Sequence, residues 1–506
     1  MNKFMSGLTN NYNYAITENG AVTHKSTRSD LLDMFAMGAA MRNRTDEDVI
    51  LMFRKAFAEN PTYALKCLFY IRDVRGGQGE RRFFRVCMRD LAKTNTEAAM
   101  RNLRHVPEFG RWDDLYVFVG TPVEAAAMNF MKEQLALDIQ CKTPSLLAKW
   151  LKSENTSSAE SRRLANITRK AMGMNHKQYR KVLSVLRARI NVLERLMSEN
   201  RWDEIEFDKI PSKAGMIYKN AFARHDLERE KSVKEVQTYA EFAKDTTKKV
   251  NAKTLYPYEC VGEAMKVWHR SFEDTNRLMT NKYWDNLADY FKGASFNGLA
   301  VVDTSGSMTW NNGTPIKVAT SLGIYCAEKA NGPFAGHYIS FSSRPQLIKV
   351  EGVDFVDKVR RIIATNLCEN TNIEKTFDML LDIARRNHCT QEDLPKNIII
   401  ISDMEFDAAR GRRTYNWNTG RYESAQDTDT LMEGIAKKWA AAGYQVPKLI
   451  FWNVDARQNN IPMTVKNGIS YVSGFSPSLF QQIMSGKTAF DLMYEVLDQD
   501  RYSVIH

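Results

Sequence analysis

One loop of the sequence combines a carboxylate with two hydroxyls at a spacing suited to binding a cation. It reads DTSGS (303–307) and directly follows the apolar run 296–302. Since that run is typical of a buried strand, we expect the loop at the carboxyl end of the strand, where doubly wound sheets bind ligands. Carboxylates and hydroxyls are hard oxygen donors, which Mg²⁺ prefers. The spacing therefore predicts a divalent-cation site, with Mg²⁺ as cofactor, at Asp303, Ser305 and Ser307.

The chain around this loop alternates between short β-rich runs and helical stretches. The β-rich runs are 296–302, 336–343, 396–402, 448–454 and 469–475. Strands that alternate with helices indicate a mainly parallel sheet covered on both faces, and the unbroken apolar run Ile398–Ile401 is typical of a central strand. We expect residues 294–506 to form one Rossmann-like α/β domain.

The DTSGS loop resembles the metal-ion-dependent adhesion site of von Willebrand factor A domains, whose signature is DxSxS followed by a Thr and then an Asp. The resemblance implies five metal ligands, direct or through water: Asp303, Ser305, Ser307, Thr371 and Asp403. In such domains the vacant coordination position takes a carboxylate from a protein partner. The family usually has Gly after its last Asp, whereas this chain continues MEFD (404–407), with two further carboxylates. A degenerate site that binds no metal is the alternative.

The positive charge of the chain is confined to its N-terminal part. Residues 1–298 hold 49 basic and 37 acidic residues, whereas 299–506 hold 22 and 23, for a net charge of +11. Residues 161–200 alone carry ten basic residues against two acidic ones. Rows of Arg and Lys attract phosphates through counterion release. This segment is therefore a candidate RNA-binding surface, and a solvated face without a partner is the alternative.

Nine basic residues of this segment are the RNA-binding candidates: Arg162, Arg163, Arg169, Lys170, Lys177, Arg180, Lys181, Arg187 and Arg195. Helical geometry places five of them on one arc: Lys177, Arg180, Lys181, Arg187 and Arg195. An apolar stripe that includes Val182, Leu186 and Ile190 covers the opposite side. Arg189 points toward that stripe, so we expect it to be buried or interfacial.

A second basic cluster surrounds the glycines of 72–82 and supplies three further RNA-binding candidates: Arg75, Arg81 and Arg82. A structural turn, in which basic and acidic side chains cap and pair across neighbouring helices, is the alternative there. The cluster lacks the GxxxxGK[ST] pattern of a P-loop. SGKT (485–488) also fails as a nucleotide loop, because position 481 is Gln and a helix precedes it.

Residues 29–293 are expected to form an α-helical, HEAT-like repeat array after an N-terminal arm over 1–28. Apolar residues recur at spacings of three and four from 29 to about 245. Trp112, Trp202 and Trp284 share a Trp-Asp context at intervals of 90 and 82 residues. Each interval is close to two repeat units of roughly 40–47 residues. A solenoid is therefore favoured over one compact bundle.

A basic helical array followed by a von Willebrand factor A domain resembles the TROVE-domain ribonucleoproteins, the Ro autoantigen family. Segments 70–84 and 161–198, with the DTSGS loop, carry this resemblance. It implies a ring closed by the A domain, which binds small structured or misfolded non-coding RNA and single-stranded RNA ends. The implied function is a non-enzymatic ribonucleoprotein component whose Mg²⁺-type (MIDAS) site serves a protein partner.

Two other functions are compatible with the same residues. One is a protein-interaction adaptor working through the A domain, for example with an ATPase, in which the basic face meets an acidic protein. The other is a metal-dependent nuclease that uses four carboxylates around two cations: Asp303, Asp403, Glu405 and Asp407. The Ser, Ser and Thr ligands fit a binding site better than this enzymatic use.

The cysteines and the apolar runs predict the cellular compartment. The seven cysteines are scattered and include no CxxC pair, as expected for reduced thiols of a cytosolic protein. The N-terminal segment lacks the apolar core of a secretory signal, and no segment approaches about 18 consecutive apolar residues. We therefore expect a cytoplasmic protein without a membrane partner.

Overall fold

A computed structural model describes residues 12–232, 236–252, 254–291, 296–341, 344–365, 372–407, 413–416, 421–424, 430–463, 469–483 and 488–506. Within these residues the chain forms two compact units. The α/β unit comprises the described residues up to 67, together with 256–270 and 287–499. The helical unit comprises 68–255, 271–286 and 500–506. The units interleave along the chain, whereas the domain limits expected at 28/29 and 293/294 divide it into three consecutive segments.

The helices are numbered in chain order. The first eight are α1 (Asp30–Met37), α2 (Asp46–Glu59), α3 (Pro61–Arg72), α4 (Arg81–Thr94), α5 (Thr96–Asn102), α6 (Val106–Phe109), α7 (Glu124–Gln140) and α8 (Leu147–Trp150). The next eight are α9 (Ala159–Ala171), α10 (His176–Arg189), α11 (Leu193–Ser198), α12 (Ser212–Arg224), α13 (Asp226–Glu230), α14 (Tyr239–Lys244), α15 (Pro257–Val267) and α16 (Thr275–Asp285). They are followed by α17 (Trp310–Lys329), α18 (Phe355–Thr365), α19 (Ile373–Arg386), α20 (Leu431–Ala441), α21 (Phe480–Ile483) and α22 (Ala489–Leu497).

The strands are β1 (Tyr14–Ile16), β2 (Val22–His24), β3 (Gly298–Asp303), β4 (His337–Phe341), β5 (Gln346–Lys349), β6 (Asn397–Ser402), β7 (Arg413–Asn416), β8 (Arg421–Ser424), β9 (Lys448–Asn453) and β10 (Ile469–Ser473). Six of them form one sheet in the order β10-β9-β6-β3-β4-β5, parallel except for the antiparallel edge strand β5. The expected mixture of helices with a mainly parallel sheet is confirmed.

Burial explains why the central strands are apolar throughout. Every residue of β3 is buried, and so are Ile398–Ile401 of β6. A strand with both faces covered by helices has no polar side, so its sequence does not alternate. Ser402 then ends β6 and Asp303 ends β3, which places polar side chains at the carboxyl edge of the sheet.

The described part of the N-terminal arm is a β-hairpin rather than an isolated extended segment. β1 pairs antiparallel with β2, and Gly20 in the turn has a φ of 90°, a left-handed value that favours glycine. The hairpin is fixed within the α/β unit, since the His24 amide donates to the Ile461 carbonyl at 3.0 Å. The Ile461 amide returns a bond to His24 at 2.9 Å.

A buried ion-pair network organises the glycine-rich turn of the helical unit. Asp114 is 0% exposed and accepts from Arg72 Nη2 at 2.7 Å and from Arg85 Nε at 2.6 Å. A Cβ on Gly77 would overlap the carbonyl oxygen of Tyr70, so this turn requires glycine. These contacts agree with the alternative interpretation of 72–82, a structural turn in which basic and acidic side chains pair across neighbouring elements.

The three tryptophan segments are not structurally equivalent. Trp112 and Trp202 begin 3₁₀ turns, whereas Trp284 lies inside α16. The spacing of the tryptophans therefore does not by itself define a repeating unit. No helix in the described part of the chain combines the length and apolar content needed to span a bilayer.

Candidate functional site

The DTSGS loop follows β3, the strand at which the sheet changes its direction of growth: β4 and β5 lie on one side of β3, and the later strands β6, β9 and β10 lie on the other. β3 pairs with β6 on one side and with β4 on the other, and the chain passes from β3 to β4 before it reaches β6. In open α/β sheets such a switch point leaves a crevice at the carboxyl ends of the strands, where ligands bind. Asp303 is the last residue of β3, and Asp403 comes directly after β6, so both residues lie at this edge of the sheet.

The Asp303 carboxylate organises the DTSGS loop. Its Oδ1 accepts from the Ser305 amide at 2.9 Å and its Oδ2 from the Ser402 hydroxyl at 2.5 Å. The hydroxyls of Ser305 and Ser307 are 3.0 Å apart. Burial and the neighbouring Asp403 carboxylate raise the pKa of Asp303 to about 7. Two buried carboxylates that repel each other at neutral pH favour the presence of a cation.

Asp403 is 2% exposed and already has a cationic neighbour. Its Oδ2 lies 2.7 Å from Nη2 of Arg457, and its Oδ1 accepts from the Glu405 amide at 3.2 Å. Met404, at the usual glycine position of the signature, has a φ of 66°. The backbone conformation that favours glycine is thus present although the glycine is absent.

The donor set fits a hard divalent cation only when hydroxyls are counted together with carboxylates. In the described residues no group of three or more His, Cys, Asp or Glu side chains is arranged to hold a metal. The residues that could hold one are Asp303, Ser305, Ser307 and Asp403, whose oxygens suit Mg²⁺. The fifth expected ligand, Thr371, lies outside the described residues.

The hairpin supplies neighbours of this site that sequence reasoning missed. Arg457 bridges Asp403 and Glu18, with Nη1 at 2.6 Å from Glu18 Oε2. The buried Glu405 accepts from the Glu18 amide and from Asn460 Nδ2, both at 2.7 Å. Burial, with the nearby Asp403 and Glu18 carboxylates, raises the pKa of Glu405 to about 7. Both Glu405 oxygens therefore have protein donors.

The nuclease alternative needs four carboxylates around two cations. Asp407 makes an antiparallel bridge with Gly20 of the hairpin turn, and each Glu405 oxygen accepts a protein hydrogen bond. Asp303 and Asp403 are thus the two members of that set placed at the switch point with hydroxyls beside them.

The basic residues of 161–200 divide into paired and unpaired groups. Arg163 pairs with Glu160 at 2.7 Å, and Arg195 with Glu199 at 2.8 Å. Arg169 pairs with Glu154 at 3.1 Å. The Arg162 guanidinium donates to two loop carbonyls, the nearer at 2.6 Å. Four basic residues of this segment are exposed and form no ion pair or side-chain hydrogen bond with the described residues: Lys170, Lys177, Arg180 and Lys181.

Arg187 and Arg189, at the end of α10, both donate to backbone carbonyls of other elements. Arg187 is half-buried and donates to the carbonyls of Ala148 and Leu151 and to the Ser153 hydroxyl, each at 2.9 Å. Arg189 is exposed instead and donates to a backbone carbonyl at 2.7 Å. The expected arc treats residues 177–195 as one continuous helix, but α10 ends at Arg189.

The helix that follows also departs from that projection. Asn191 adopts a left-handed φ of 48°, so α11 starts in a new direction at Leu193. On α10 the buried residues are Tyr179, Leu183 and Leu186, whereas Val182 is only half-buried. The apolar stripe is therefore shorter than expected, and Arg195 belongs to a different helix face from Lys177.

The candidates of the glycine-rich cluster also differ in their surroundings. Arg75 is exposed and donates to the Glu108 carbonyl at 2.5 Å. Arg82 follows Glu80, whose side chain caps α4 by accepting the Arg82 amide at 2.9 Å. Arg81 makes no direct ion pair within the described residues. Burial, followed by the nearby Arg85 and Arg72, lowers the pKa of Arg81 against the opposing effect of Asp113 and Asp114.

Two family models match this chain. The model described as Domain of unknown function (DUF7788) matches residues 297–503, which include the whole six-stranded sheet. The model described as Domain of unknown function (DUF2828) matches 17–171 and 140–295, more than half of the chain. The protein therefore belongs to the DUF2828 family. Its sequence is similar to Uncharacterized protein L728 of Acanthamoeba polyphaga mimivirus, with 30% identity over 516 residues that cover 94% of this chain and 85% of that protein.

Proposed function

We propose that this chain is a non-enzymatic RNA-binding protein whose helical unit binds phosphates through Lys177, Arg180 and Lys181. The observation that carries the proposal is a difference among the basic residues of 161–200, some of which have acidic partners whereas others have none among the described residues. These three residues lie at i, i+3 and i+4 on α10 and are exposed without a partner in the described part of the chain. Arg163 and Arg195 nearby have acidic partners.

The position of these cations costs the isolated helix stability. Like charges at i and i+4 repel by a few tenths of a kcal/mol, and cations near a helix N-terminus oppose the helix dipole. Lys177 and Lys181 have the first relation, and the first turn of α10 contains no acidic residue. An RNA phosphate placed along this face would offset both effects. The charge arrangement therefore supports a polyanionic ligand, and we propose RNA as that ligand.

The α/β unit is proposed to be a von Willebrand factor A-like domain, and the helical unit its TROVE-like, HEAT-like counterpart. The strand order and the Asp303 loop at the switch point support the first assignment. Asp303, Ser305, Ser307, Thr371 and Asp403 would hold the Mg²⁺. The ion would supply a coordination position for the carboxylate of a protein partner. A cytoplasmic location agrees with the six described cysteines, none of which forms a disulfide with another described residue.

The test is the salt dependence of RNA binding by the full chain. A fluorescein-labelled single-stranded RNA of mixed sequence is titrated by anisotropy between about 50 and 200 mM NaCl. The variant K177Q/R180Q/K181Q is expected to bind more weakly and to reduce the slope of log K against log salt by about 2, because three phosphate contacts each contribute about 0.7.

The control variant is R163Q/R195Q, which removes two cations that already have acidic partners. It is expected to change the slope by less than half as much. Equal slopes for the parent and the triple variant contradict the assignment of this face. RNA-independent capture of a protein partner would favour the adaptor, and Mg²⁺-dependent RNA cleavage that D403N abolishes would establish the nuclease.

A further inference from the structure

A cavity of about 340 Å³ in the helical unit has the composition of a nucleotide site. It lies at the end of α8 and along the loop that leads to α9, and it combines cations, an aromatic ring and hydroxyls. The lining includes Lys149, Trp150, Lys152, Ser153, Thr156 and Ser161. This cavity is separate from the Lys177, Arg180 and Lys181 side chains, which do not line it.

Hydrogen bonds from the half-buried Arg187 and the buried Tyr179 fix the shape of the wall of this cavity. Arg187 donates to Ala148, Leu151 and Ser153, each at 2.9 Å. The Tyr179 hydroxyl donates to the Lys152 carbonyl at 2.8 Å. A wall that is ordered before a ligand arrives loses little conformational entropy on binding. Arg187, which also lines the cavity, therefore fixes the shape of the wall through these bonds.

Trp150 gives the cavity an aromatic surface suited to a nucleobase. The Arg111 guanidinium lies 4.6 Å from the Trp150 ring centroid, and Lys149 Nζ lies 6.0 Å from it. Bases of single-stranded nucleic acids stack on such rings and on guanidinium planes, with little regard to sequence. Arg111 does not line the cavity and covers part of the Trp150 ring, so the stacking surface for a base is the part of the half-buried ring that faces the cavity.

The charges around the cavity favour an anion. Lys152 Nζ is 3.8 Å from Asp113, a carboxylate that also accepts from Arg85 at 3.0 Å. Glu154 pairs with Arg169 at 3.1 Å and with His176 at 2.7 Å. Asp113 and Glu154 each have a cationic partner that does not line the cavity, Arg85 and Arg169. Of the two lining lysines, Lys152 shares Asp113 with Arg85, whereas Lys149 has no acidic partner among the described residues and is the stronger phosphate-binding candidate. Ser161, in the first turn of the 13-residue helix α9, adds a hydroxyl at its positive end.

We infer that this cavity binds one nucleoside monophosphate unit, with its base on Trp150 and its phosphate on Lys149 and Lys152. The unit can be a free nucleotide or one residue of a single-stranded RNA, since both present the same chemistry. The inference goes beyond the proposed function, because it assigns a discrete pocket rather than an extended cationic face.

Calorimetric titration of the full chain with AMP, adenosine, inorganic phosphate and a short oligoadenylate tests this site. AMP or the oligoadenylate is expected to bind saturably, and adenosine and phosphate about tenfold more weakly or worse, because each lacks one half of the ligand. Binding of AMP identifies a free nucleotide as a sufficient ligand. Binding of the oligoadenylate without AMP identifies a residue of RNA as the ligand of the cavity if K177Q/R180Q/K181Q retains that binding and K149Q/K152Q loses it. Absence of saturable binding by both overturns the inference.

Variants separate this site from the α10 face. K149Q/K152Q and W150L are each expected to weaken binding about tenfold, whereas W150F, which keeps a stacking ring, retains it within about threefold. The matched control K132Q/K142Q removes two exposed lysines that do not line the cavity. K177Q/R180Q/K181Q is expected to leave AMP binding unchanged. Parent-like binding by K149Q/K152Q and W150L, with their fold intact by circular dichroism, overturns the inference.

Discussion

Replacing Asp114 by Asn tests the network that fixes the glycine-rich turn. The carboxylate is fully buried and accepts from Arg72 at 2.9 and 2.7 Å, from Arg85 at 2.6 Å and from the Arg111 amide at 2.9 Å. Asn removes the negative charge while Arg72, which is 1% exposed, stays buried without compensation. Breaking one partner of a buried ion pair costs about 3–5 kcal/mol of unfolding free energy. We expect D114N to lose that amount.

The pH dependence of the unfolding free energy lost in D114N tests the same network in a second way. Burial alone would raise the pKa of Asp114, but Arg72 and Arg85 outweigh burial and lower it. A carboxyl whose pKa is lower in the folded state stabilises the fold above its ordinary pKa of about 3.9. That contribution is lost as the pH falls through the lowered value. The difference between parent and D114N is therefore expected to be full at pH 7 and to shrink in acid.

Urea denaturation of the full chain, followed by circular dichroism, measures both effects. The matched control is E133Q, since Glu133 pairs with Arg104 at 2.8 Å on the surface, with side-chain exposures of 46% and 64%. An exposed pair contributes about 0–1 kcal/mol, so E133Q should shift the midpoint little. A D114N variant as stable at pH 7 as E133Q would refute the role of the buried network.

Three further changes have defined outcomes. Asp73 accepts from Arg501, from the Tyr502 hydroxyl at 3.1 Å and from the Arg75 amide at 2.9 Å, so D73N should speed amide hydrogen exchange of 500–506 and of the turn around Arg75, and leave more distant segments unchanged. Burial raises the pKa of Asp303 to about 7, so folding stability falls between about pH 4 and 7. D303N should therefore raise the melting temperature in EDTA at pH 8, and it should cancel the rise that MgCl₂ gives the parent. A Cβ on Gly110 would overlap a carboxylate oxygen of Asp114, and G110A should cost about 1–3 kcal/mol in urea titrations.

The sheet was predictable because its sequence signals are local. Ile398–Ile401 is apolar without interruption since β6 is covered on both faces, and the polar loop at Asp303 starts where β3 ends. The hairpin also has a local signal in the sequence. Asn19-Gly20 stands between the short strands β1 and β2, and an Asn-Gly pair is a common hairpin turn.

The neighbours of the candidate metal site had no comparable signal. Arg457 and Glu18 are 439 positions apart in sequence and meet at 2.6 Å. Neither residue lies in a motif, and their pairing depends on how the hairpin folds within the α/β unit. Long-range pairs of this kind require the tertiary structure, whereas the spacing DxSxS is visible within five residues.

The basic segment shows why a count of charges overstates a binding surface. Ten cations in 161–200 made this segment a candidate RNA-binding surface, but Arg187 orders a loop and Arg163 and Arg195 have acidic partners. A paired cation must lose its partner before it gains a phosphate, so its net contribution to RNA affinity is smaller than that of an unpaired one. Phosphate affinity should therefore depend on a few positions such as Lys177 and Arg180, and neutralising the paired residues should weaken binding far less than their number suggests.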